Sequence, residues 1–269
     1  MQLCRFRLGD DPKPRSGFVY EGVVYETDGL NPVGTYRLED VSLLAPLSHA
    51  FSFRDFDAFL TQISEMGKEE GSPQEPFFQF QYAGMLLGHQ APLRKPPYTE
   101  ELDFEFEVAV VIGRPGMDIP VSEVPGYILG FTILNDWTAR DKEREERARG
   151  WGAGKSKDFG TSVGPYLVTP DALESRRIRT ERGDVYDLPM EARVNGEVIA
   201  KGNLKDMRWT FAELISYASR SSWLWEGDLI GSGMMPHGCL AGRDRGFLNP
   251  GDEVSLSVWG LGELVNQVV

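Results

Sequence analysis

Leu102 to Gly113 reads LDFEFEVAVVIG, and this stretch decides what kind of fold the chain can make. It alternates polar and apolar residues and then runs continuously apolar, as a strand does when it enters a sheet covered on both faces. Side chains two apart on a strand share a face, so Asp103, Glu105 and Glu107 are expected to point the same way. Carboxylates crowded on one face repel one another, and leaving them dry would be costly. Either that face lies in water, as on any amphipathic strand, or something positive sits against it. A hard divalent cation held by oxygen ligands is the natural occupant.

Downstream, Tyr127 to Asp136 (YILGFTILND) reads as a second buried strand that ends in two polar residues, a place where sites tend to lie. Ala139 to Arg149 (ARDKEREERAR) predicts a largely solvated helix laced with ion pairs. Trp151 to Asp158 (WGAGKSKD) is a glycine-rich loop carrying Lys155 and Lys157, without the glycine spacing of a phosphate-binding loop. Val163 to Thr169 and Leu188 to Val198 predict strands, the latter with an Asn195-Gly196 hairpin turn. Thr210 to Arg220 predicts a helix opened by a capping box of Thr210 and Glu213. The tail alternates again through Val254, Leu256 and Val258.

Upstream, Phe53, Phe56, Phe59, Leu60 and Ile63 fall at helical spacing, and Ser52 with Asp55 makes a capping box, so Ser52 to Met66 predicts a helix. Lys68 to Glu75 is polar and rich in breakers, and residues 52–75 together are expected to form a lid or linker. Phe77 to Tyr82 (FFQFQY) alternates as a strand. Before residue 47, strand-like pieces at Leu3–Leu8, Phe18–Tyr25 and Thr35–Leu38 predict a small β-rich N-terminal module of residues 1–46, followed by one larger unit over residues 47–269. Strands dominate and helices are few. The expected class is a mixed, β-rich α+β fold.

At 269 residues and 41% hydrophobic, the chain can bury a full-sized core. A net charge of −13 disfavours nucleic acid and anionic membranes as partners, since no basic stripe is present to displace counterions. No apolar run approaches the ~20 residues of a membrane span. The first residues lack the apolar centre of a signal peptide, and the two cysteines, Cys4 and Cys239, fit a reducing compartment, so a cytoplasmic location is expected. Glu105, Glu107 and Asp136 lie on two predicted strands, close in sequence to Arg140 and Lys155. Such an oxygen-only set suits Mg²⁺, Mn²⁺ or Ca²⁺ and not Zn²⁺, and the two basic residues could grip an anionic substrate.

Together these stretches resemble the fumarylacetoacetate hydrolase family. The matching pieces are LDFEFEVAVVIG, GFTILNDWTARD, GKSKD followed by VGPYLV, VNGEV, GDLIGSG with GCL, and PGDEV followed by GLGELVNQVV, in the family's order. The resemblance implies a mixed β-roll, a bound Mg²⁺ (Mn²⁺ or Ca²⁺ in its place) and a homodimer. It implies a small keto-acid substrate, a 2-oxo or β-diketo acid or its enol, undergoing C–C hydrolysis, decarboxylation, isomerisation or tautomerisation. Residue by residue, it makes Glu105, Glu107 and Asp136 metal ligands, with Asp55 in SFRDFDAF as a fourth, although the capping box alone would also explain an acid there. It makes Arg140 in NDWTAR and Lys155 in GKS the basic catalytic and substrate-binding positions, and leaves Asp103 an outer role or mere hydration.

The chain departs from the family at the residues that activate water. The family's histidine seven residues after Asp55 is Gln62, which cannot take a proton at neutral pH, and the glutamate that orients that histidine is Gly242. The threonine of GSGT that holds a substrate carboxylate is Met234, and the glutamine of ARDxQ is Glu143. Gln62, Met234 and His237 are thus expected on the substrate side of the site, with His237 in MMPHGC either an exposed loop histidine or a replacement base. A metal platform without its water-activating pair favours enolisation over C–C hydrolysis. The alternative is a catalytically degenerate relative that binds metal and a keto acid without turnover.

Overall fold

The computed structural model of the chain describes residues 1–29, 31–59 and 75–269. At the N-terminus β1 (Gln2–Leu8), β2 (Arg15–Tyr20), β3 (Val23–Asp28) and β4 (Asn31–Arg37) form a meander, and β5 (Val41–Leu44) folds back on β1. Phe18–Tyr25, expected as one strand, is a hairpin. Glu21 and Gly22 both take positive φ (48° and 76°) and turn the chain between β2 and β3, as a two-residue turn matched to strand twist requires.

The middle of the chain supplies β6 (Phe53–Phe56), β7 (Phe78–Gln81), β8 (Leu86–Leu87), β9 (Leu102–Asp103), β10 (Phe106–Ile112), β11 (Ile128–Asp136), β12 (Thr138–Ala139), α1 (Arg140–Ala148) and β13 (Thr161–Val168). The remainder adds β14 (Arg177–Thr180), β15 (Gly183–Tyr186), β16 (Pro189–Val194), β17 (Glu197–Asn203), α2 (Phe211–Ala218), β18 (Leu229–Gly231), β19 (Glu253–Val258) and β20 (Gly262–Gln267). One 12-stranded mixed sheet runs in the order β4-β3-β2-β1-β13-β11-β10-β18-β6-β7, with β5 on β1 and β8 on β13. A four-stranded sheet, β17-β16-β19-β20, carries the expected Asn195-Gly196 turn, and Thr210 and Glu213 form the expected capping box at the start of α2. No helix among the described residues is long and apolar enough to cross a membrane, and Cys4 and Cys239 are both buried and free.

The continuous apolar run of β10 follows from its place between β11 and β18. Phe106, Val108, Val110 and Ile112 enter the main core, while Ala109 and Val111 enter a second cluster on the opposite face with Phe53, Leu134 and Leu229. Every residue of β10 is buried, so both faces must be apolar except where a site interrupts them. Glu107 is that interruption, on the face of Ala109 and Val111.

The helix expected from Ser52 is corrected over its first turn: Phe53–Phe56 is a strand, parallel to β18 and antiparallel to β7. The Ser52 hydroxyl donates to Asp228 (2.8 Å) instead of capping a helix, and Leu229 N–H donates to Ser52 O. Pairing on both edges outweighs a helical spacing of phenylalanines. The rest of that prediction, with most of the expected lid, falls on residues 60–74 and lies outside the described residues.

Candidate active site

Register brings the acids together. In the sheet, Glu107 on β10 faces the same side as Leu134 and hence Asp136 on β11, and β6 presents Phe53 and Asp55 to that same side. Between them lies Gly231 of β18, paired to Ala109 and Asp55. A Cβ at Gly231 would stand 2.9 Å from Glu107 Oε2 and 3.2 Å from Asp55 Oδ1, so only glycine leaves the carboxylates their room. Glu105 arrives differently. The expected single strand breaks at Phe104–Glu105: β9 pairs with β12, β10 begins at Phe106, and Glu105 is held between by Asp136 N–H donating to its carbonyl (3.1 Å). Carboxylate oxygens of Asp55, Glu105, Glu107 and Asp136 come within 4.8 Å of one another.

Lys157 reaches into this group. Its Nζ donates to Glu105 Oε2 (2.5 Å) and Asp136 Oδ2 (2.6 Å). Arg140, the first residue of α1, donates from Nη1 to Glu105 Oε1 (2.6 Å) and Glu143 Oε2 (3.0 Å) and from Nε to Asp103 Oδ2 (2.9 Å). Asp103 is fully buried and also accepts from Leu240 and Ala241 N–H, which ties the loop after β18 to the site. Gly233 N–H of that loop donates to Glu107 Oε2 (3.1 Å). On β7, Gln81 donates to Asp136 Oδ2 (3.1 Å) and Asp55 Oδ2 (3.4 Å).

After these bonds, Asp55 Oδ1, Glu107 Oε1 and Asp136 Oδ1 remain buried with no partner. Leaving such atoms bare is expensive, and they belong to three of the four acids whose carboxylates approach one another. Oxygens around one hard dication lie at most about 4 to 5 Å apart, twice a metal–oxygen distance. The four carboxylates also outnumber the two cations that touch them, Lys157 and Arg140. Orphaned oxygens, their spacing, the charge excess and the space kept by Gly231 all fit a divalent cation.

Burial is the largest influence on every one of these acids. It pushes Asp55 up to about 6 and Asp136 up to about 7, with Lys157 opposing in both cases. It pushes Glu107 well above the carboxylate range, helped by Asp55, Asp136 and Glu105. For Glu105 burial is outweighed by Lys157 and Arg140, which hold it down to about 2. Lys157 goes upward: Asp136 and Glu105 outweigh its burial, so it stays an ammonium. Carboxyls raised in the folded state destabilise the fold as they ionise; the penalty is absent below the ordinary carboxyl range near ~4 and complete above their folded values. For Asp55 and Asp136 that window closes at about 6 and about 7, and Glu107 is raised in the same direction. A dication binds the ionised form and removes the penalty. Thermal stabilisation by Mn²⁺ should therefore be larger at pH 8 than at pH 5.5. Apparent affinity should fall about tenfold per pH unit, in the acid range, for each carboxyl that must first lose its proton. Titration calorimetry at the two pH values checks this.

Several expectations change place. Lys155 is corrected: its side chain is exposed, pairs with Asp158 (2.9 Å) and lies over the Tyr98 ring, while Lys157 enters the carboxylates. A turn closed by Lys157 N–H to Gly154 O separates the two lysines, and nothing in GKSKD shows which one turns inward. Arg140 is present, but two of its three guanidinium nitrogens are bound by carboxylates, leaving Nη2 without a partner. Glu143 is buried between Arg140 (3.0 Å) and Arg147 (2.7 Å), two cations that account for an acid at this position. Met234 is half-buried on the loop after β18, His237 is exposed on it, and Gly242 is exposed with φ +79°. Gln62 lies outside the described residues. Gln81 is the residue that sequence reasoning misses although a signal exists, since the alternation in FFQFQY places Gln79 and Gln81 on one face.

Residues 52–269 match the family model described as fumarylacetoacetate (FAA) hydrolase, C-terminal, and residues 1–46 match one described as Rv2993c-like, N-terminal. The human protein named oxaloacetate tautomerase FAHD2A, mitochondrial, is 33% identical over 197 residues, 73% of this chain and 60% of its own length. The chain thus spans about 60% of the relatives of that kind. Among solved structures, 5-carboxymethyl-2-hydroxymuconate delta-isomerase from Mycobacterium smegmatis superposes with a TM-score of 0.77 at 26% identity, covering 100% of this chain and 99% of the other. Fumarylpyruvate hydrolase from Pseudomonas aeruginosa, in complex with Mn²⁺ and pyruvate, gives a TM-score of 0.67 at 25% identity, covering 85% and 91%.

Proposed function

Since this chain belongs to the fumarylacetoacetate hydrolase family, we propose that it is a divalent-metal enzyme acting on a small 2-oxo acid by tautomerisation or isomerisation through an enolate. The observation that carries this reading is the approach of the Asp55, Glu105, Glu107 and Asp136 carboxylates to one another beside Lys157, with one oxygen each of Asp55, Glu107 and Asp136 left without a partner. Those four acids would hold Mg²⁺ or Mn²⁺. When bound, the cation supplies Lewis-acid polarisation of the 2-oxo acid.

The protein's own groups supply charge and orientation. Lys157 keeps a permanent positive charge at the edge of the carboxylates and would offset the negative charge on the substrate oxygen in the enolate, the C3 proton passing to and returning from solvent water. Arg140 fixes Glu105 and offers Nη2, its one unengaged donor, toward a substrate carboxylate. C–C hydrolysis would further need a base to activate water. Gln62 is an amide and Gly242 has no side chain, which supports enol chemistry over hydrolysis.

A panel of oxaloacetate, acylpyruvates and 2-hydroxydienoates with Mg²⁺ or Mn²⁺ tests this reading. Interconversion without C–C cleavage is the expected result. Cleavage products would replace enol chemistry by hydrolysis, and no turnover of any member would leave the binding-only alternative.

A further inference from the structure

We infer that Glu146 is a positioning residue for Lys157, acting through the loop that follows α1; the inference rests on the role proposed for Lys157 above. Glu146 lies in the last turn of α1, and its carboxylate accepts from three successive backbone N–H groups, Gly154 (3.0 Å), Lys155 (2.7 Å) and Ser156 (3.4 Å), and from the Ser156 hydroxyl (2.6 Å). Successive N–H groups turned to one side make an anion nest, and here the chain fills it with its own carboxylate. The same loop is held at the other end of the helix, where Ala139 N–H donates to Ser156 O (2.9 Å). Trp151 N–H donates to the Glu146 carbonyl (3.1 Å) and closes the turn that brings the loop back.

The consequence is one of direction. Ser156, clamped from both ends of α1, is fully buried, and the residue after it enters the carboxylates. With Ser156 fixed, Lys155 is left on the outside and Lys157 inside, so the nest selects which lysine serves the site. Glu146 itself pairs with the loop and not with Asp55, Glu105, Glu107 or Asp136. Its effect on the site passes through the loop that carries Lys157.

The test is amine labelling with a small acylating reagent, in the presence of chelator, read by peptide mass spectrometry on the full chain and on its Glu146→Ala, Glu146→Gln and Glu146→Asp variants. In the wild-type protein Lys157 should react far more slowly than exposed Lys155. Glu146→Ala should speed Lys157 by about tenfold or more, as a local opening does, with Lys142 and Lys201 unchanged. Glu146→Gln should be intermediate, since an amide accepts less strongly from N–H groups than a carboxylate, and Glu146→Asp should restore part of the protection. In turnover with saturating Mn²⁺ the loss should fall on kcat and not on KM. Unchanged labelling of Lys157 in Glu146→Ala and Glu146→Gln would overturn the inference, and so would equal acceleration of every lysine. Faster labelling with wild-type turnover would uphold the positioning and remove instead the role given to Lys157.

Discussion

Glu107→Gln is expected to abolish metal-dependent turnover and to weaken Mn²⁺ binding by more than about 100-fold, since losing even an outer-shell partner of a metal ligand costs 10–100-fold. The change is nearly isosteric, and it removes an oxygen that has no other partner. The same variant should be no less stable than wild type without metal. Burial, then Asp55, Asp136 and Glu105, hold the Glu107 carboxyl well above its ordinary range, so the fold without metal favours the uncharged acid and a neutral amide replaces it without the cost of keeping a proton on. Loss of function with unimpaired apo stability is the signature of a ligand, whereas a structural acid would lose both. Asp136→Asn should behave alike toward the metal but also free Lys157, which donates to Asp136 Oδ2 at 2.6 Å. Calorimetry with Mn²⁺ and a melting curve in chelator read both quantities.

Lys157→Met should lower kcat by about 10²- to 10³-fold, the range seen when one preorganised donor to a developing oxyanion is removed. Lys155→Met should stay within about twofold, because an exposed lysine paired to a neighbouring aspartate contributes little. The contrast matters more than either value. Lys157→Met also strips Glu105 and Asp136 of a buried cation, and losing one partner of a buried pair costs about 3–5 kcal/mol. The melting temperature in chelator should therefore fall, and added Mn²⁺ should restore more of it than in wild type. If Lys155→Met is the variant that loses activity while Lys157→Met retains it, the placement of the two lysines is wrong in solution.

What the chain discloses on its own is set by the range of the interactions involved. The acids of LDFEFEVAVVIG and the Asp at the end of YILGFTILND are legible because strand periodicity is local, and a carboxylate on a buried face contradicts its surroundings. The same periodicity misplaces Asp103 relative to Glu105 and Glu107. The break at Phe104 is made by partners distant in sequence, β12 on one side and the loop of Gly238 and Leu240 on the other. Phe53–Phe56 is misread for a like reason, since its strand exists only by pairing to β18 and β7. Asp55 is placed by family resemblance and not by periodicity, which favours a helix cap there. Lys157 is beyond local reading altogether: its direction depends on Glu146 and Ala139 fixing Ser156.

Whether the four carboxylates hold the cation that makes enol chemistry possible is read by stopped-flow ketonisation of the enol form of whichever panel member the protein turns over. The protein is assayed after metal removal by chelator and again after resupply of Mn²⁺. The expected rate in chelator is that of buffer alone, with full recovery on adding Mn²⁺ and no recovery in Glu107→Gln. Undiminished acceleration in chelator, or recovery by Mn²⁺ in Glu107→Gln, would contradict it.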